Sequence, residues 1–384
     1  MVYTGGAGTD TIDGNAVKKR GFKRQMQLVA GLAVSAVLLW WLFKDTNWAE
    51  VGRVVRNADL FWLSAAVGCV LLSFVVRIFR WRALVAVEPP PRFIKLFNAT
   101  QIGFFANFVL PARLGEVIRA VVLSRGTDIP VSKSLAFVAV DRITDLVGLA
   151  GTLLLTVLFF HPAEAIYLPE EMRGLYAGPI SAVLIRRACL GAAAAIVVGL
   201  AGAFALAASR GLAERVLRRT VAPFSPALAV RLTALADHFT SGMAVVRSPW
   251  RMARACGVSL ALWGVFAVTN WCAFMALRLE VPWYAPFVTL SLLAVFISLP
   301  GPPGFIGPYH VAIAGSLLLV NPAMNVDEAR AMAIMAHLLN LLPVVVVGVW
   351  CLSAENVSLA QMKETGESVA EAEDPGPEIL PPAE

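Results

Sequence analysis

Six stretches of this 384-residue chain, at 27–43, 59–79, 134–160, 188–208, 255–277 and 331–352, are apolar with few or no charges. A bilayer-spanning helix needs roughly 20 consecutive apolar residues, and each stretch meets or approaches that length. A chain in hydrocarbon has no water to bond its backbone groups, so it crosses only as helix or closed barrel. Continuous apolar runs of this length select the helix. Composition agrees, with 58% hydrophobic and 15% charged residues, outside the range of soluble globular domains. The expected fold is an all-α polytopic membrane protein with about six transmembrane helices.

Charge placement suggests an orientation. Net charge is +6, yet the stretch from Ser353 to Glu384 holds eight acids and one Lys. Basic residues gather before the first run (Lys18, Lys19, Arg20, Lys23, Arg24), in "RIFRWR" (77–82) and in 209–254, which carries eight Arg against Glu214 and Asp237. The connections between them, such as "HPAEAIYLPEEMRG" (161–174), are neutral or acidic. By the positive-inside rule both termini are expected in the cytoplasm of a bacterial-type inner membrane. Residues 1–24 then form a basic tail and 25–352 the membrane domain. Segment 209–254 reads as a cytoplasmic connector of amphipathic helices, or as helices lying along the inner headgroups. The Glu-, Ala- and Pro-rich stretch 353–384 reads as disordered. The first run ends in "WWLFKDTN", without a small-x-small cleavage site, and is expected to be an uncleaved anchor.

Two further apolar regions are interrupted. Residues 96–123 are too few for two crossings and basic residues flank both ends. Residues 284–320 surround "LPGPPGFIG" (299–307), where Pro lacks an amide proton and Gly favours non-helical backbone. Each reads as a re-entrant helical hairpin, the first entering from inside and the second from outside, with Pro111 and Gly115, then Pro303, Gly304 and Gly307, at the turns. Such backbone survives at membrane depth only where protein covers it or it lines a polar cavity. The order span, hairpin, span occurs twice with opposite direction, an inverted repeat of the kind transporters use.

Charge inside this domain concentrates in "NFVLPARLGEVIRA" (107–120) and "AVDRITDLVG" (139–148). Arg113, Glu116 and Arg119 share a broad helix face, as do Asp141 and Asp145, with Arg142 beside them. Charged side chains at membrane depth cost several kcal/mol and face a bundle interior or aqueous cavity. They pin the hairpin to its neighbours in one reading; in the other, Arg forks receive an anionic headgroup while carboxylates hold them or bind a proton. Asp141 is also placed to cap its helix. In the second hairpin Tyr309 and His310 follow the break, with His337 and Asn340 on the last span; His310 is the functional candidate and His337 reads as structural. Arg77 is expected to snorkel to headgroups, and Trp40, Trp41, Trp62, Trp81 and Trp283 to anchor the interfaces. Five unpaired-spacing Cys and four scattered His indicate neither a disulfide framework nor a metal site, and no cofactor is expected. There is no P-loop and no paired Ser/His/Asp signature, so no enzyme is expected. Topology accounts for the basic residues without nucleic acid.

The motifs "NFVLPARLGEVIRA", "SLAFVAVDRITDL" and "LPGPPGFIGPYHVAIAG" resemble the membrane region of the lysylphosphatidylglycerol synthase family, also described as the flippase-like domain family. The resemblance covers about 25–352. It implies a role in moving or handling phospholipids or polyisoprenoid-linked and hopanoid-type lipids. It places the family's LP-x-R-x-G-E-x-x-R pattern on Pro111, Arg113, Gly115, Glu116 and Arg119, its R-x-x-D on Arg142 and Asp145, and its P-G-x-x-G turn on Pro303, Gly304 and Gly307. Where many members have Glu, this chain has His310, a departure that bears on any carboxylate-based proton role. The chain runs about thirty residues past its last apolar run, so lysyl transfer is not expected. The expected function is translocation of an anionic membrane lipid across the inner membrane. The alternative is a non-transporting lipid-binding scaffold for a membrane partner such as a glycosyltransferase.

Overall fold

The computed structural model describes residues 32–85, 87, 89–110, 114–161, 166–167, 178–208, 248–298, 302–358 and 360–362, together with Val29 and Arg219. The basic tail 1–24, most of connector 209–254 and the acidic stretch beyond Met362 lie outside them, as do Pro111 and Arg113. The elements are α1 (Leu32–Phe43), α2 (Trp48–Arg56), α3 (Leu60–Leu84), α4 (Phe93–Val109), α5 (Gly115–Ser124), α6 (Val131–Phe159), α7 (Ala182–Ala208), α8 (Pro249–Ala276), α9 (Ala285–Ser298), a 3-10 turn (Pro303–Phe305), α10 (Pro308–Val320) and α11 (Val326–Ala354). Among the described residues the β content is one isolated bridge between Ile166 and Ile180.

Local chemistry sets the helix ends. The Asn47, Asp59 and Asn325 side chains accept backbone N–H bonds at the starts of α2, α3 and α11. Helix α4 stops at Val109, and Leu110 turns extended (ψ 145), as the residue before a proline must. Gly304 (φ 70) and Gly307 (φ 95) take left-handed backbone between α9 and α10. At Gly307 a side chain would also strike Ser35 of α1, whose hydroxyl donates to the Ile306 carbonyl.

Among the described residues six helices are long and apolar enough to cross a membrane: α3, α6, α7, α8, α10 with its preceding turn, and α11. The expected number holds with one change of membership. The run expected as the first span is described only as the shorter α1, and Pro303–Val320 reaches spanning length instead. Their outward faces carry exposed Leu, Val and Phe, such as Leu71, Leu72, Leu154, Val198 and Val346. On a soluble protein such patches would drive association; here they match a lipid solvent.

Each interrupted region is a pair of helices folded back on itself. Gly103 of α4 lies against Gly115 and Arg119 of α5, and Asn107 Oδ1 accepts from Gly115 N at 2.9 Å. On the other side the Thr289 and Ser316 hydroxyls join α9 to α10 at 2.9 Å. The two halves pair their elements alike. As α3 packs on α4, α4 on α5 and α5 on α6, so α8 packs on α9, α9 on α10 and α10 on α11. Across the halves, α4 packs on α11 as α9 packs on α6. At the centre α3 meets α8 with ends reversed: Asp59 N donates to Ala276 O (2.7 Å) and Arg80 to Ser259 Oγ (3.0 Å). Antiparallel central helices with matched pairings are the geometry of an inverted repeat.

Two tryptophans expected as interface anchors are covered by the protein itself. Trp81 is fully buried and Trp41 nearly so, whereas Trp40 and Trp283 are exposed as expected. Helix α3 continues past the apolar run to Leu84, which carries Trp81 into the packed end of the bundle.

A Cβ at Gly115 would fall on Gly103 O and the Asn107 side chain. Gly115→Ala is therefore expected to destabilise the fold by about 1–3 kcal/mol through overpacking. Gly199→Ala, in open space on α7, should be neutral. Thermal unfolding of the purified protein in detergent checks the contrast.

Candidate functional site

The charged motifs converge where α3, α5, α6 and α8 meet. Asp141 and Asp145, one turn apart on α6, face Arg80 of α3, which reaches Asp141 Oδ1 with Nε at 2.9 Å and Asp145 Oδ1 with Nη1 at 2.6 Å. Arg80 Nη1 also donates to Ser259 Oγ, and Trp263 Nε1 of α8 donates to Asp145 Oδ1 at 3.2 Å. From α5, Arg119 Nη1 donates to Asp141 Oδ2 at 2.8 Å, its guanidinium carbon 3.7 Å from the Trp81 ring centroid. Arg142 lies 3.5 Å from Glu116, 3.6 Å from Asp141 and 3.7 Å from Asp145.

Burial is graded across this network. Arg80, Asp141 and Arg119 are sealed, each with a side chain no more than 3% exposed; Asp145 is partly open, and Arg142 and Glu116 reach 39% and 30%. The sealed part is a structural tie between three helices, held because each ion has hydrogen-bonded partners. At the open edge Arg142 and Glu116 are loosely paired, 3.5 Å apart, and the Arg142 Nε and Nη2 atoms are themselves buried and make no hydrogen bond among the described residues. Both readings of the charges therefore have their own residues. A fourth cation, Arg77, stands between the Phe104 and Phe266 rings at 4.8 and 5.0 Å and interacts electrostatically with Asp145. Three cations and three anions balance in the network, and Arg77 adds a surplus positive charge.

Several expectations change. Asp141 does not cap α6, whose cap position is Pro130; it lies ten residues in, at the centre of the network. Arg77, expected to snorkel to headgroups, stands between two aromatic faces. Arg80, the hub, was hidden in "RIFRWR", where a run of Arg beside an apolar segment reads as topology. Its signal was periodicity: Arg77, Arg80 and Leu84 follow helical spacing on the α3 face that carries Phe74 and Ile78 inward. Arg113, expected in the cluster, lies outside the described residues.

His310 sits apart from the network, with a second polar group between α10 and α11. Its Nδ1 accepts from Gly307 N at 3.4 Å and lies 3.5 Å from His337 Nδ1. The Tyr309 hydroxyl accepts from Asn340 Nδ2 at 2.9 Å and donates to Ala336 O at 3.3 Å. Among the described residues no group of His, Cys, Asp and Glu is arranged to hold a metal ion. A cavity of about 450 Å³ opens nearer the basic end, lined by Phe79, Arg82, Trp250, Arg251 and Arg254 among others.

Removing Arg80 would strand two carboxylates in a closed site. Arg80→Ala is expected to destabilise the protein by about 3–5 kcal/mol, the range for breaking a buried pair. Arg142→Ala, at the open edge, should leave the unfolding temperature nearly unchanged. Comparing the monodisperse yields and melting curves of the two variants tests this division.

Comparison with known proteins fits this architecture. The chain is 30% identical over 370 residues to a protein named glycosyltransferase AglD from Haloferax volcanii, an alignment taking in 91% of this chain and 58% of that one. The chain thus spans little more than half the length of this curated relative. Residues 28–348, nearly the whole helical bundle, match the family described as the lysylphosphatidylglycerol synthase TM region. This chain belongs to the lysylphosphatidylglycerol synthase transmembrane-region family.

Proposed function

We propose that the protein is a lipid translocase of the inner membrane, with both termini cytoplasmic. The observation that carries the reading is an ion network deep in an apolar bundle whose edge, Arg142 and Glu116, stays open while its centre is sealed. A purely structural network gains nothing from a half-exposed, weakly bonded guanidinium. An anionic headgroup that reaches the exposed part of Arg142 competes with Glu116 for the guanidinium, while its hydrocarbon chains remain among the exposed Leu and Val of the outer faces. Arg77 supplies the surplus charge that favours an anion.

The two folded-back pairs act as hairpins entering from opposite leaflets, and the left-handed backbone at Gly304 and Gly307 lines the path. Arg82, Arg251 and Arg254 around the cavity lie two, eight and five residues along their helices from the Arg80–Ser259 contact and gather anionic lipid at the basic end. The relative's name favours a second reading, in which the domain holds a lipid-linked acceptor for a glycosyltransferase partner without transporting it.

Reconstituted protein should accelerate transbilayer movement of labelled phosphatidylglycerol or polyisoprenyl phosphate. Arg142→Ala and Arg113→Ala should return the rate to that of protein-free liposomes while the protein stays folded. No acceleration by the unmodified chain with either lipid, together with stable co-purification of a glycosyltransferase, would replace the translocase with the scaffold.

A further inference from the structure

The imidazole pair occupies the place in the second half that the open edge occupies in the first. Helices α6 and α11 are both 29 residues long; Arg142 and His337 each lie eleven residues after the first residue of their helix, Asp145 and Asn340 fourteen after. Helices α5 and α10, which follow the two breaks, carry Glu116 and Tyr309 at their second residue. Arg142 meets Glu116 across α5 and α6; His337 meets Tyr309 and His310 across α10 and α11, with ring centroids 5.0 and 4.7 Å apart. One half presents fixed charge at this site and the other presents neutral, titratable rings.

One tautomer pair accommodates both contacts: His310 Nδ1 unprotonated, shared between the Gly307 amide at 3.4 Å and a proton on His337 Nδ1 at 3.5 Å. His337 Nε2 is then a bare lone pair, and that atom is buried without a partner. A proton taken up on His337 Nε2 makes an imidazolium that still donates from Nδ1 to His310, with the Tyr309 ring beside it as a cation–π face.

Among the described residues no fixed countercharge is paired with that imidazolium. Helix α9 carries no ionisable side chain, and α10 carries only Tyr309 and His310. Near the end of α1 are Lys44 and Asp45, on α2 Glu50, Arg53 and Arg56, and on α11 Asp327, Glu328 and Arg330; of the other helices packed on α11, α3 carries Arg77, Arg80 and Arg82 with Asp59 at its cap, α4 carries Lys95, and α8 carries Arg251 and Arg254. Arg330 is bound to Leu42 O and Asp327 at 2.7 Å each. None of these pairs with either ring among the described residues.

Resting on the translocase reading, we infer that His337 and His310 form a proton-coupling site, at which one proton, taken up on His337, creates the cation that an anionic headgroup needs in the second half. Movement of the headgroup from Arg142 toward this site is then tied to proton uptake, and its release to proton loss. Neutral, the pair offers an anion no charge, so a headgroup alone gains nothing by crossing.

The test uses the full chain in detergent and weak buffer near pH 6.5, titrated with phosphatidylglycerol or with zwitterionic phosphatidylcholine. Lipid binding is read by native mass spectrometry and proton uptake by a pH indicator. Phosphatidylglycerol should bind with uptake approaching one proton per chain, phosphatidylcholine with none, and His337→Gln with His310→Gln should bind lipid without uptake. The chain has four His, so imidazole ¹⁵N resonances of the unmodified protein give an independent readout if the variants fail to fold. One buried ring should pass from neutral to doubly protonated when lipid is added. Lipid binding with both buried rings still neutral, or uptake unchanged in the double variant, overturns this inference alone. No binding of either lipid to the unmodified chain overturns the translocase reading and this inference with it.

Discussion

Arg80 holds the structure together. It is a full-length cation with 1% of its side chain exposed, placed among apolar helices, and it is tolerable only because Asp141, Asp145 and Ser259 meet it from two other helices. Removing water strengthens each of those bonds and raises the penalty for losing any of them. Helices α3, α6 and α8 are therefore fixed in register by ions as well as by packing. Arg119 extends the same constraint to α5 through the second oxygen of Asp141. Everything that is open at the site, Arg142 and Glu116 foremost, is positioned by a centre that cannot move.

Around that centre the helices meet through small residues and short polar bridges, because lipid tails are as apolar as leucine and give no net push between helices. Gly148 lies against the Trp263 ring, Gly348 against Phe105 and Gly103 against Gly115. Thr156 and Ser291 share a hydrogen bond of 2.9 Å between α6 and α9, and Lys95 and Asn98 of α4 grip Glu355 past the end of α11. The last two ties are the same cross-half contact seen from each side of the repeat, one neutral and one ionic.

The fold was largely legible because apolar run length and helix breakers are local properties. Leu110 before Pro111, and the glycines of "LPGPPGFIG", marked both interruptions directly. The charged motifs pointed to Arg119, Asp141, Arg142 and Asp145, and the structure brings these four side chains together. Arg80 was not legible, because its partners lie sixty residues away on another helix, and an arginine beside an apolar run has the same local signature whether it faces headgroups or aspartates. Arg77 and Trp81 were misplaced for the same reason: α3 continues five residues past the run that hydropathy defines. His310 stood out as a residue after a break, but its pairing with His337 depends on α10 folding against α11, which no spacing within either helix encodes.

Helix α7 stands outside this scheme. It is nearly bare of contacts other than with α6, and only 6% of its apolar window is buried. Yet α6 finishes beside Trp283, at the end of the bundle opposite the Arg82 and Trp250 cavity where α8 begins. A unit of helix, folded-back helix pair, helix returns the chain to the end of the bundle it left, so a copy of that unit in reverse orientation requires one additional traverse. Helix α7 is that traverse: a connector selected for length and greasiness, whose individual side chains should be interchangeable among hydrophobic residues while its presence decides which way the second half points.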